Sequence, residues 1–350
     1  MAQFMGTFNE AASADDVRLD GAVRWLGSVL PVTPSMPVPV AGDASFRRYF
    51  RVRAGPRSFV LMDAPPDREP LQPFVRVAGW LRGFGLRAPH VHACNPELGY
   101  ALLEDFGDTS YLDAVGRQPA HTTALYGDAL TALLRLAVAG RTHQHELPPY
   151  DLALLEREID LFPEWLLERH LGLMLSAAER AVVDALRATL CTRALEQPRV
   201  FVHRDFHSRN LMVVDGEGPG VLDFQDAVEG PVTYDLVSLL KDCYLHLPED
   251  TVTAWVAAHR DALADAGVDV PPAARFMEDF HWMGVQRHLK AAGIFARLWH
   301  RDGKPGYLGD VPRTLGYIVD AAGAIPALEP FADFVETRVL PALGRADPRQ

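Results

Sequence analysis

From Ser110 to Trp299 the chain carries the apolar spacing of helices almost throughout, and that pattern breaks only at VFVHRDFHSRNLMVVD (200–215) and GVLDFQD (220–226). In the first break, Val and Phe on one side and Leu-Met-Val-Val on the other flank a polar block, which reads as strand, loop, strand. A loop held between buried strands is rigid, and rigid loops are where reactive side chains are positioned.

The first hundred residues have a different character. Residues 38–52 and 57–63 are β-rich runs separated by Ala-Gly-Pro, a hairpin signal. LQPFVRVAGWLRGFG is amphipathic and closes on Gly, which predicts a helix, and VHACNPELGYALLEDFGD predicts two short strands around a turn. The expected class is α+β. Residues 1–17 read as an unstructured polar tail, 18–106 as a small β-rich lobe and 107–350 as a larger, mostly helical lobe. A chain of 350 residues supports two lobes, since single cores stop growing at roughly 250–300 residues.

Charge and cysteine content exclude several classes. A net charge of −12 is unsuited to coating nucleic acid or an anionic membrane, so neither is expected as a partner. Cys94, Cys191 and Cys243 are odd in number and widely spaced, which argues against a disulfide framework or a zinc site. The N-terminal MAQFMGTFNEAASADD has no basic stretch followed by an apolar one, and no window offers 18 uninterrupted apolar residues, so a cytoplasmic location is expected.

His203-Arg204-Asp205, Asn210 and Asp223-Phe224 form a set with one chemical logic. Phosphoryl transfer needs a carboxylate to orient and deprotonate the attacking hydroxyl, and oxygen ligands to hold Mg²⁺ against nucleotide phosphates. Asp205 fits the first role, and Asn210 and Asp223 fit the second. HRDxxxxN followed at this distance by Asp-Phe is far more restrictive than a bare HxD.

These motifs resemble the aminoglycoside phosphotransferase family of kinase-fold small-molecule kinases. GDASFRRYFRV, LMDAPPD, HRDFHSRNLM, GVLDFQDAVEGPVTYDLVSLLKDCY and QRHLKAAGIFARLWHRDGKPGYL are similar to its amino-sugar kinases. The resemblance implies a bilobal protein-kinase-like fold and ATP with Mg²⁺. It further implies phosphorylation of the 1-hydroxyl of N-acetylmuramic acid and N-acetylglucosamine in cell-wall recycling. It also implies that backbone around Glu104, Asp105 and Phe106 binds adenine and that Asp235 orders the catalytic loop. His203 reads as a brace for that loop, and His207 as either a substrate contact or a solvated side chain.

One departure stands out. The third strand of the kinase fold carries a phosphate-binding lysine, whereas here SFVLMD places Met62 at that position. The cations nearest the expected phosphate loop are Arg47, Arg48 and Arg51, beside Ser45. Alternation puts Phe46, Arg48, Phe50 and Val52 on one strand face, so Arg48 interrupts an apolar surface and needs an anion. Arg48, then Arg47, is expected to meet the phosphates, against a reading as solvated edge-strand arginines. Farther on, Arg287, Lys290, Arg297 and Arg301 form a basic group suited to an anionic acceptor, against a reading in which they only complement a helix C-terminus. Two other functions stay open: a kinase of the same fold acting on an aminoglycoside, choline or homoserine, and a nucleotide-binding pseudokinase.

Overall fold

The computed structural model describes the backbone of residues 8–16 and, in full, residues 17–40, 46–216 and 218–346. The chain divides into two compact units, Met1–Gly83 with Arg87–Asp108, and Phe84–Leu86 with Thr109–Gln350.

The first unit opens with helix α1 (Phe8–Val29), which begins inside the stretch expected to be an unstructured tail. The reason is local: NEAASADD supplies alanines, and its acids favour a helix N-terminus. The strands are β1 (Val38–Pro39), β2 (Arg48–Ala54), β3 (Arg57–Asp63), β4 (Val91–Asn95) and β5 (Tyr100–Glu104), with α2 (Leu71–Gly83) between β3 and β4. They form one antiparallel sheet in the order β1-β2-β3-β5-β4. The β2–β3 hairpin turns through Gly55, whose φ of 60° is the left-handed conformation glycine adopts freely. Alternate residues of the sheet, Phe50, Val52, Phe59, Leu61 and Leu102, pack with Ala22, Trp25 and Leu26 of α1.

The second unit contains α3 (Tyr111–Arg117), α4 (Thr122–Ala139), α5 (Leu152–Leu161) and α6 (Ala177–Leu195) before the polar loops. Two short antiparallel pairs follow: β6 (Arg199–Val202) with β9 (Val228–Pro231), and β7 (Leu211–Met212) with β8 (Gly220–Val221). Helices then resume as α7 (Tyr234–Leu240), α8 (Glu249–Asp265), α9 (Ala273–Asp302), α10 (Val311–Ala322), α11 (Glu329–Phe334) and α12 (Leu340–Ala346).

The 30-residue α9 is the spine of this unit and packs against α5, α6, α7 and α10. Its close approach to α5 depends on Gly293, where any side chain would run into the Leu161 backbone. It ends at Gly303, in the left-handed conformation, with the Lys304 N–H donating to the Leu298 carbonyl (3.0 Å). Among the described residues, no helix is long and apolar enough to cross a membrane.

Candidate active site

The polar loop between β6 and β7 is built around a buried carboxylate. Asp235, in the first turn of α7, accepts the backbone N–H groups of His203 (2.6 Å) and Arg204 (2.9 Å), which fixes the loop where it leaves β6. His203 is itself buried, and burial pushes its pKa down to about 4, so the ring is neutral. Its Nδ1 accepts the Asp205 N–H at 3.3 Å. The histidine therefore braces the loop, as its place in the motif suggested.

Arg204 adopts a left-handed backbone, with φ 80°. Such strain in a non-glycine residue persists only when the surroundings over-determine it. Here the determinant is Glu158 of α5, a buried carboxylate held by Arg204, by Lys290 (3.1 Å), by Gln286 Nε2 (3.0 Å) and by the Tyr150 hydroxyl (2.6 Å). Burial alone would raise its pKa, but Lys290 and Arg204 outweigh that and hold it low. Arg287 completes the support by donating to the Arg204 carbonyl at 2.6 Å.

The Asp205 side chain remains 34% exposed, with the Arg287 guanidinium 3.9 Å away. Burial of its surroundings would raise the carboxyl pKa, but Lys290, Arg287 and His207 overcome this and hold it well below the usual carboxylate range. It is ionised and accessible.

Asn210 and Asp223 meet because the β7–β8 pairing continues one step past the strands, through the Leu222 N–H donating to the Asn210 carbonyl (2.9 Å). Asn210 Nδ2 lies 3.0 Å from the Asp205 carbonyl and 3.4 Å from Asp223 Oδ2. Asp223 is the second left-handed non-glycine residue, with φ 61°, and Gln225 Nε2 donates to its other oxygen at 2.7 Å. Two adjoining hard-oxygen side chains are the protein contribution that Mg²⁺ takes when phosphates and water fill the rest of its shell. The residues fit that cation.

His207 is half-buried, its ring edge-on to Tyr244 with centroids 5.4 Å apart. Ser208 anchors the middle of the loop, donating from both N–H (2.9 Å) and hydroxyl (2.5 Å) to buried Asp242.

The basic group on α9 divides. Lys290 is buried and bonded to Glu158 and to the Tyr234 hydroxyl (3.1 Å), and Arg287 holds loop backbone. Both were expected to bind substrate; here both are engaged within the fold, because a helix that packs on the loop turns one side of its stripe inward. Arg297 is half-buried, and exposed Arg301 pairs with its neighbour Asp302 (2.8 Å). Of the aromatic residues on this helix, Trp282 and Phe295 are core.

In the first unit, Ser45 and the glycine turn before it lie outside the described residues. Arg48 does share the apolar face and does meet an anion, but the anion is Asp63, directly across the β2–β3 ladder. Arg48 Nε donates to Asp63 Oδ2 at 3.0 Å, and Arg18 of α1 takes the other oxygen. Arg47 pairs with Glu69 (2.6 Å). Phosphate binding, expected of Arg48 and Arg47, is thus not needed to explain either side chain. Met62 is wholly buried.

Glu104 and Asp105 are also engaged: Glu104 Oε2 accepts the His90 N–H (3.1 Å), and the Asp105 carboxylate accepts Arg51 (2.7 Å), the Ser58 hydroxyl (2.5 Å) and the Gly107 N–H (3.0 Å). Phe106, beside them, is half-buried. The side chains brace the segment, consistent with any ligand contact there coming from backbone.

Glu158, Asp242 and Arg209 escaped the motif reading. Glu158 carried a usable signal, since it sits beside Leu155, Ile159 and Phe162 on the apolar stripe of its helix, as Arg48 does on its strand.

Known proteins resemble this chain over most of its length. A kinase from Pseudomonas aeruginosa named N-acetylmuramate/N-acetylglucosamine kinase is 46% identical over 329 residues, covering 90% of this chain and 95% of that one. A protein of the same name from Pseudomonas putida is 43% identical over 334 residues, covering 91% and 96%. Among solved structures, the choline kinase LicA of Streptococcus pneumoniae superposes with a TM-score of 0.59 over 85% of this chain and 97% of that one, at 11% identity, which speaks for the fold alone. Residues 38–277 match the phosphotransferase enzyme family, and with the catalytic loop, the Asn210–Asp223 pair and these relatives, the chain belongs to that family and is an enzyme of the kinase class.

Proposed function

We propose that this protein transfers the γ-phosphoryl group of ATP to the 1-hydroxyl of N-acetylmuramate and N-acetylglucosamine, a step of cell-wall recycling. The relatives' names supply the acceptor sugars, and an ionised, accessible Asp205 is compatible with the 1-hydroxyl as the position that reacts. A carboxylate held far below its usual pKa is a weak base, poorly matched to an ordinary alcohol. The anomeric hydroxyl of a hemiacetal is more acidic, and the transition state of phosphoryl transfer asks for orientation more than for early proton removal. A weak, permanently ionised base is enough there.

Asp205 accepts a hydrogen bond from the 1-hydroxyl and takes its proton as the oxygen–phosphorus bond forms. The bond from phosphorus to the β-phosphate oxygen breaks, giving a sugar 1-phosphate and ADP. Asn210 and Asp223 would hold Mg²⁺, whose chemistry is to neutralise charge on the transferring phosphate. Glu158, Arg204, Arg287 and Lys290 keep the loop in place, and adenine is assigned to the backbone of residues 104–106.

The test is phosphoryl transfer from Mg·ATP to N-acetylmuramate, N-acetylglucosamine, glucose, kanamycin and choline, with the product read by ³¹P NMR. A 1-phosphate on the two N-acetyl sugars is expected. A phosphate on another hydroxyl, or transfer only to kanamycin or choline, overturns the reading.

A further inference from the structure

The catalytic loop carries one cation that its own support leaves over. Arg204, Arg287 and Lys290 are consumed in holding Glu158 and the loop backbone. Arg209, one residue before Asn210 and four after Asp205, is exposed and has no ion pair among the described residues. Asp113 and Asp310 feel its charge only from a distance.

Its position is nevertheless fixed. Ser208 on one side is tied to Asp242 through both N–H and hydroxyl, and the Asn210 N–H on the other donates to the His207 carbonyl (2.9 Å). The guanidinium lies 3.9 Å from the centroid of the Tyr244 ring and 5.1 Å from that of Tyr307. Tyr244 is itself set by Asp242, which accepts its N–H at 2.9 Å, and Tyr307 stacks on Phe295 with an interplanar angle of 20°. One carboxylate thus positions both the arginine's segment of the loop and the ring beneath the arginine.

A guanidinium whose face rests on an aromatic ring keeps its in-plane N–H groups for a planar anion. The two proposed acceptors differ in one group of that kind: N-acetylmuramate carries a lactyl carboxylate, and N-acetylglucosamine does not. We propose that Arg209, on its tyrosine platform, is the subsite for the acceptor's carboxylate and sets the preference between the two sugars. The proposal rests on the acceptor reading above.

The experiment compares kcat/KM for both sugars in the unmodified protein and in Arg209→Met. Loss of a charge-assisted hydrogen bond should lower the value for N-acetylmuramate by ~10–100-fold. The value for N-acetylglucosamine should stay within about twofold. Arg209→Lys should recover part of the loss. Equal losses on both sugars, or no loss on either, overturn the proposal.

A second measurement does not depend on the variant folding: the unmodified protein is given N-acetylmuramate whose lactyl carboxylate has been converted to the carboxamide. It should turn over this compound with a comparable loss, and undiminished turnover overturns the proposal. If the unmodified protein phosphorylates neither sugar, the acceptor reading itself has failed, and that outcome is distinct from active turnover without discrimination by Arg209.

Discussion

Asp63 in the first unit and Glu158 in the second are both buried carboxylates, and each is gripped by two cations that come from different elements. The clusters differ in what surrounds the cations. Arg18 and Arg48 keep 30% and 26% of their side chains exposed, whereas Arg204 and Lys290 keep 17% and 9%. The Asp63 cluster ties α1 to the β2–β3 ladder, and among the described residues no non-glycine beside it has a left-handed backbone. The Glu158 cluster holds Arg204 in a left-handed backbone and sets the charge around Asp205. Similar ion chemistry serves packing in one place and the organisation of a reactive loop in the other.

The largest expected effect separates the loop's chemistry from its support. Asp205→Asn should lower kcat by ~10²–10⁴-fold with only a modest fall in melting temperature, because the side chain is one-third exposed and its ion pair with Arg287, at 3.9 Å, is long. Near-normal turnover would end its assignment as base.

Glu158→Gln should instead unfold the second unit readily, at a cost of about 3–5 kcal/mol, since it strands two desolvated cations. Asp63→Asn should cost less, about 1–3 kcal/mol, because Arg18 and Arg48 can turn to water. Denaturant titration of both variants checks the order, and a reversed order would break the comparison.

Met62→Lys tests the first unit directly. The methionine is wholly buried, so an ammonium there should destabilise the protein and give no gain in turnover. A rise in activity would show that the position still accepts the family's lysine.

Taken per group and per pH unit, the smallest effect is on pH dependence. Burial lowers the pKa of His203 and His259 to about 4 and of His288 to about 3, all three in the second unit. Their folded values lie below the unfolded one, so the stability they contribute is complete above about pH 6.5 and is lost as pH falls from there toward 4. Each contributes a slope of at most about 1.4 kcal/mol per pH unit. Buried Asp235 in the same unit, pushed up to about 7, gains stability as pH falls and offsets about one of the three histidines; hydrogen exchange between pH 7 and 4.5 should therefore report opening of the second unit before the first.

Much of this architecture was legible from local pattern. The hairpin at Gly55, the helix at 71–83, the catalytic loop between short strands and the end of α9 at Gly303 follow from turn residues and apolar periodicity, which act over a few neighbours. The helix over 8–16 was missed because its composition is polar, although its residues are good helix formers. The partners of charged residues were not legible. Arg48 visibly needed an anion, yet nothing in the strand said that Asp63, fifteen residues on, would supply it.

The sequence by itself carried the family, through its motifs, and the α+β class, and it singled out Asp205, Asn210 and Asp223 as candidates because phosphoryl transfer uses those residue types. Tertiary structure alone decided which charges are spent on holding the protein together and which are left for a ligand. It turned Lys290 and Arg287 inward to the loop, gave Arg48 to Asp63 and left Arg209 with no ion pair among the described residues. The physical reason is that the worth of a charge is set by its burial and its partner, and both are fixed only when distant segments pack.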